Sequence, residues 1–263
     1  MANADCVIIQ GSNMAECHPV GFQWVSEAKA RGARIIHIDP RFTRTSAIAD
    51  THVPLRAGTD VVLLGALINH VLTNDLYFHD YVVAYTNAAT LINDDFVDTE
   101  DLGGIFSGFD PETGTYDTSS WSYAERPAPE ATSPGASGPE GEDGQIEEPS
   151  GDEHGATQRA RAAGQELGAA GAALSHADVI RDESLQHPRT VFQILKRHYS
   201  RYTPEMVQEV CGIPVELFEE VARALAENSG RERTTCFAYA LGWTQHTLGA
   251  QFIRTSAILQ LLL

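Results

Sequence analysis

The 263-residue sequence predicts an α/β fold, a parallel β-sheet with flanking helices. Three observations carry that expectation. Short apolar runs end in glycine or Asp-Pro, as strands buried on both faces do. The stretches between them place apolar residues at helical spacing. Glycine or acid follows each run, where a sheet of this kind hands over to its helices.

Taken in order, Cys6-Val-Ile-Ile-Gln10 is a first strand that stops at Gly11. Pro19 opens a helix to Arg31 with Phe22, Trp24, Val25 and Ala28 at helical spacing, and Gly32 ends it. Arg34-Ile-Ile-His-Ile38 is a second strand, stopped by Asp39-Pro40, which completes a βαβ unit and gives a Rossmann-like arrangement. A third strand is expected at His52 to Leu55, and Gly58-Thr59-Asp60 then caps an apolar helix from Val61 to about Val71. Residues 76–123 are aromatic and turn-rich, with one helix near their start. Later helices are expected after Pro188, after the Thr203-Pro204-Glu205 start signal, and from Val215 to Asn228. Thr235 to Leu241 reads as a strand broken by Gly242, and Gly249 to Leu263 as an apolar helix.

Between these halves the composition changes. From Glu125 to Gly155 there are nine acids, one arginine, six glycines and five prolines, with Ile146 the single large aliphatic. Such a segment buries too little apolar surface to offset its ordering entropy, so disorder is expected there. Residues 156–175 are Ala/Gly-rich and read as a marginal helix. The expected organisation is a nucleotide-binding region over 1–124, an acidic insert over 125–183, and residues 184–263 completing the first domain.

The 18 Lys and Arg side chains face 36 acids, a formal charge of −18, and only Lys29 and Lys196 are lysines. That balance repels phosphate backbones and argues against nucleic-acid binding, and with the insert it suggests adaptation to high salt. The apolar stretches are too short or too interrupted to span a bilayer, and no N-terminal signal precedes the first strand. The cysteines at 6, 17, 211 and 236 form no CxxC pair and no metal framework by themselves.

The groups that follow the strands carry the functional signal. Gly11-Ser12-Asn13, Asp39-Pro40-Arg41, Gly58-Thr59-Asp60 and Gly242-Trp243-Thr244-Gln245-His246 all fall at carboxyl ends, the ligand-binding edge of open α/β sheets. Singly they are ordinary: a glycine makes the turn, Asp39-Pro40 ends a strand, Asp60 caps a helix, and His18 and His246 are structural histidines. Four on one edge point to a ligand. The dinucleotide fingerprint is absent, since Gly11 opens G-S-N-M-A-E and Asp39 follows it by 28 positions, so an NAD site fits poorly.

The runs Ala4-Asp-Cys-Val-Ile-Ile-Gln-Gly-Ser-Asn13, Ala15-Glu-Cys-His-Pro-Val-Gly-Phe22, Ile38-Asp-Pro-Arg-Phe-Thr-Arg-Thr45, Gly58-Thr-Asp60, Tyr85-Thr-Asn-Ala88, Ser119-Ser-Trp-Ser-Tyr123, Leu185-Gln-His-Pro-Arg189, Ser200-Arg-Tyr-Thr-Pro204 and Tyr239-Ala-Leu-Gly-Trp-Thr-Gln-His246 resemble the large subunit of respiratory formate dehydrogenases. These belong to the molybdopterin oxidoreductase superfamily. The resemblance covers nearly everything outside 125–183. It implies a multidomain parent enzyme with a molybdenum or tungsten bis-molybdopterin guanine dinucleotide cofactor. Carried over residue by residue, it implies that Gly11, Asn13, Glu16 and Cys17 contact one guanine-dinucleotide arm. Asp39, Pro40 and Arg41 would hold its nucleotide end, with Gly58, Asp60, Gly242, Thr244 and Gln245 completing the set. Acids and carbonyls suit guanine and ribose, and glycine N–H groups with Arg41 suit pyrophosphate.

The family's cysteines for a [4Fe–4S] cluster, its metal-site selenocysteine or cysteine, and its active-site arginine have no counterpart here. No residue of this chain is therefore nominated as catalytic or as a metal ligand, and the chain alone is expected not to oxidise formate. The resemblance implies as partners the rest of the catalytic subunit, an iron–sulfur beta subunit, a membrane cytochrome b subunit and formate. It implies the periplasmic side of the membrane, with the cytoplasm as the alternative. The bare leucines at 261–263 read as an interrupted helix, hence a fragment. A selenocysteine codon read as stop would explain the start at Met1, and the DNA upstream is then expected to hold an in-frame UGA followed by a histidine codon. Two other readings stay open, another molybdopterin oxidoreductase such as a nitrate reductase, and a nucleotide-binding module without redox activity.

Overall fold

A computed structural model describes residues 1–125 and 179–263. The disorder expected for the insert and the marginal helix after it lie outside the described residues. In chain order the elements are β1 (Cys6–Gln10), α1 (Met14–Cys17), α2 (Pro19–Ala30), β2 (Arg34–Ile38), α3 (Arg44–Ile48), β3 (Thr51–Val53), α4 (Asp60–Thr73) and α5 (His79–Tyr85). There follow β4 (Phe109–Asp110), β5 (Thr115–Tyr116), α6 (Val191–Tyr199), α7 (Pro204–Met206), a π-helical turn (Val207–Cys211), α8 (Val215–Glu227), β6 (Thr235–Tyr239), α9 (Leu241–Thr244) and α10 (Gly249–Leu262). No described helix is long and apolar enough to cross a membrane.

The chain divides into two compact units, Met1–Ala88 with Leu195–Leu263, and Ala89–Ile194. The first holds the sheet. Its order is β3-β2-β1-β6, and every pairing is parallel, with Ile8 opposite Ile36 on one side and Phe237 on the other. All five residues of β1 are buried, as expected of a parallel strand covered on both faces. Val7, Ile9 and Ile35 pack with Phe22, Val25 and Ala28 of α2, while Leu64 of α4 meets Trp243 and Phe252. β2 and β6 lie on opposite sides of β1, so the connections after β1 and β6 diverge there. That is the switch point at which such sheets bind ligands.

Several boundaries differ from expectation. β3 stops at Val53 instead of reaching Leu55, because Pro54 has no N–H to extend a ladder. β6 ends at Tyr239, and Leu241 already opens α9, so Gly242 lies in a helical turn and does not break a strand. The helix expected after Pro188 begins at Val191, with the Thr190 hydroxyl accepting from the Gln193 N–H at its first turn. Thr203 caps as expected, accepting from the Met206 N–H, but the helix passes directly into the π-helical turn and stops at left-handed Gly212.

The second unit contains segments 89–125 and 179–194 among the described residues. The sheet's unit ends at Ala88, short of the expected boundary at 124. Backbone bridges supply the reason: Thr90 pairs with Arg181, Leu91 with Thr190, and Glu125 with Val179. These tie 89–125 to 179–194, and a two-residue hairpin of β4 and β5 is the main regular structure between them.

Candidate functional site: a cleft at the carboxyl edge of the sheet

The turns after all four strands line one cleft of ≈ 300 Å³. Of the expected residues, Gly11, Asn13, Cys17, Asp39, Pro40, Arg41, Asp60 and Gly242 line it. Glu16, Gly58, Thr244 and Gln245 do not. Gly58 stands behind the His246 ring, Thr244 is exposed at the end of α9, and Gln245 is exposed just after it. His246 and His18, read from sequence as structural, both line the cleft, as do Ser12 and the apolar side chains of Leu55 and Leu241. The available signal for His246 was its place at the end of the run that opens at Gly242 after the last strand.

The two glycines at the switch point serve each other. Gly242 N–H donates to the Gly11 carbonyl at 3.0 Å, and Gly11 N–H donates to the Ile38 carbonyl at 3.0 Å. A Cβ on Gly242 would lie 2.4 Å from the Gly11 oxygen, so only glycine lets the β1 and β6 turns cross here. Gly11 also has φ +63°, the left-handed region. Their N–H groups are thus already used, which corrects the expectation that they face a pyrophosphate. The amides of Ser12 and Asn13 accept that description instead, because neither donates to a protein group among the described residues.

Asn13 and Glu16 are also engaged internally. Asn13 Nδ2 donates to the Glu16 carboxylate, Asn13 Oδ1 accepts from Thr45 Oγ1 at 3.1 Å, and Glu16 pairs with Arg44 at 3.2 Å. They brace the β1 turn against α3. The Arg41 guanidinium, by contrast, is exposed at the cleft and has no protein partner among the described residues.

Asp39 and Asp60 are buried acids at this edge. Asp39 Oδ1 accepts from the Arg41 backbone N–H at 2.9 Å, which folds the turn back over β2. Asp60 was expected to cap α4, yet it lies inside the first turn and the capping position, Thr59, makes no side-chain cap bond. Its Oδ1 instead accepts from Gln10 Nε2 at 2.8 Å and from Trp243 Nε1 at 3.0 Å. Beneath the floor, His37 is fully buried between the Ser12 carbonyl, 3.1 Å from Nε2, and Ser46 Oγ, 2.7 Å from Nδ1. A carbonyl can only accept, so Nε2 carries the proton. Ser46 takes the Thr43 N–H and donates to Nδ1. Burial pushes the His37 pKa down from its ordinary value, against a smaller upward pull from Asp39. The ring is neutral, and its 3.9 Å approach to Asp39 is not an ion pair.

The donor set suits a nucleotide. Two desolvated carboxylates can accept from hydroxyl or base N–H groups, two unspent amides and a free guanidinium can meet phosphate, and apolar side chains can take a base face.

The family model for molybdopterin oxidoreductases matches residues 1–262. The chain is 42% identical to the nitrate-inducible formate dehydrogenase major subunit of Escherichia coli K12, over 99% of the chain and 21% of that protein. It is 41% identical to formate dehydrogenase 2 subunit alpha (cytochrome c-553) of Nitratidesulfovibrio vulgaris, again over 99% of the chain and 21% of that protein. Acetylene hydratase from Pelobacter acetylenicus shares the fold, with TM-score 0.53 and 17% identity over 99% of this chain and 21% of the other. The chain therefore spans about a fifth of the length of these relatives.

Proposed function

The chain belongs to the molybdopterin oxidoreductase family, and we propose that it is the part of a formate dehydrogenase major subunit that holds one guanine-dinucleotide arm of a bis-molybdopterin cofactor. The observation that carries this is the cleft at the switch point, with Asp39 and Arg41 from the turn after β2 meeting Asp60 from the segment after β3. When bound, the molybdenum or tungsten centre of that cofactor supplies the two-electron oxidation of formate to carbon dioxide. The residues here bind and orient. Asp39 accepts from ribose hydroxyls through the oxygen that the Arg41 N–H leaves open. Arg41 and the Ser12 and Asn13 amides hold pyrophosphate, and Asp60 reads the base. Neutral His37 keeps the Ser12 carbonyl turned into the floor, which leaves the amide side of that turn toward the ligand. In this reading the remaining catalytic subunit completes the site. An iron–sulfur subunit with its clusters and a membrane cytochrome b subunit take the electrons, on the periplasmic side.

The test is calorimetric titration of the purified chain with GDP, the free form of the proposed arm's end, against ADP. Saturable GDP binding, about tenfold or more tighter than ADP, is expected. Absence of saturable GDP binding contradicts the proposal.

A further inference from the structure

Asp60 is held in an unusual way. It is 5% exposed, and both of its protein hydrogen bonds fall on the same oxygen, Oδ1, from Gln10 Nε2 and Trp243 Nε1. Both donors are rigid and 0% exposed. Gln10 is the last residue of β1, paired on both sides, and the Trp243 indole is stacked on Tyr239 with centroids 4.9 Å apart and planes 19° apart. Gln10 also keeps a buried oxygen, Oε1, without any partner. Turning the amide over would aim that oxygen at the carboxylate, so the orphan is the consequence of donating to Asp60. A buried unsatisfied acceptor is costly, and such exceptions call for a functional reason.

Each carboxylate oxygen accepts about two hydrogen bonds. Oδ1 is therefore saturated from inside the protein, while Oδ2 accepts from no protein group among the described residues and belongs to a residue that lines the cleft. Resting on the nucleotide reading above, we infer that Gln10 and Trp243 are positioning residues that make Asp60 a reader of one donor. Guanine presents two adjacent donors, N1–H and the exocyclic amine, hypoxanthine presents N1–H alone, and adenine presents an acceptor at N1. A clamped Asp60 accepts N1–H through Oδ2 and rejects adenine, but takes no account of the exocyclic amine. The cleft thus separates 6-oxopurines from adenine without requiring that amine.

The experiment titrates the purified chain, and its Trp243→Phe and Gln10→Leu variants, with GDP, IDP and ADP. Each variant removes one donor and keeps an apolar filler; Gln10→Leu also removes the orphan oxygen. The unaltered chain is expected to bind GDP and IDP within about threefold of each other, with ADP about tenfold or more weaker. Either variant frees a site on Oδ1 for the exocyclic amine, so the preference for GDP over IDP should rise to about tenfold. A purely structural role would lower all three affinities together. GDP binding with IDP about tenfold weaker in the unaltered chain, or an unchanged GDP to IDP ratio in both variants, overturns the inference alone. Loss of GDP binding by the unaltered chain overturns the nucleotide reading and this inference with it.

Discussion

The sheet unit and the second unit are held together by different means. In the first, the two central strands β1 and β2 are buried and rich in Val and Ile, and apolar packing against α2 and α4 holds the sheet. In the second, isolated bridges and single polar side chains replace such runs. Arg189 donates to the carbonyls of Ile92, Asn93 and Phe96, and Asp182 accepts from the amides of Ser184, Gln186 and His187. The Ser184 hydroxyl, which also donates to Asp182 at 2.6 Å, and then those amides hold the Asp182 carboxyl down at about 2, and the loop carries buried Leu185 at φ 59°. One region is patterned and the other is pinned. Substitutions should therefore act over the whole of the first and locally in the second.

The largest effect is expected from Gly242→Val. A Cβ there meets the Gly11 carbonyl at 2.4 Å, backbone against backbone, so the β1 and β6 turns must separate. A loss of about 3–5 kcal/mol, read as a cooperative fall in thermal midpoint, is the expected outcome. Survival of the midpoint within about 2 °C would show that the crossing is not needed. Arg189→Met comes next. It leaves three carbonyls without their shared donor and should cost about 2 kcal/mol. Hydrogen exchange should quicken at residues 89–96 and 182–190 and stay unchanged in β1 and β2; faster exchange in the sheet would erase the contrast.

The smallest effect is a pH dependence of the sheet unit. Burial lowers the pKa of His37, and that of His70, below 6.5 in the folded state, so the unfolded chain binds more protons as the solution is acidified. Their contribution is present above about pH 6.5 and is lost as pH falls below that value toward the folded pKa values, at no more than about 1.4 kcal/mol per pH unit for each group. Denaturation midpoints between pH 7.5 and 5.5 should fall, and His37→Gln should flatten part of that slope. A slope unchanged by the substitution would assign it elsewhere.

The same contrast explains what the sequence reveals. β1 and β2 match their expected bounds to the residue, since each is a buried run with an unmistakable stop at Gly11 or Asp39-Pro40. That the four turns gather at one edge of the sheet was legible too, because each strand is followed by small or acidic residues and all four turns line one cleft. What each side chain does there was not. Asp60 read as a cap and is a buried acceptor. Gly11 and Gly242 read as phosphate donors and spend their amides on the backbone. Those roles depend on contacts between residues far apart in the chain, from Gly11 to Ile38 up to Gly11 to Gly242, which no local pattern encodes. The division at Ala88 was hidden for the same reason, since it rests on bridges such as Thr90 to Arg181.

The central claim is that the carboxyl edge of β1, β2, β3 and β6 is a guanine-nucleotide site, and its location can be read directly. Hydrogen exchange of the purified chain, with and without saturating GDP, should show protection confined to residues 11–18, 39–41, 55–60 and 240–246, the turns that line the cleft. Protection centred instead on residues 225–237 and 259–263, at the opposite end of β6, would contradict it.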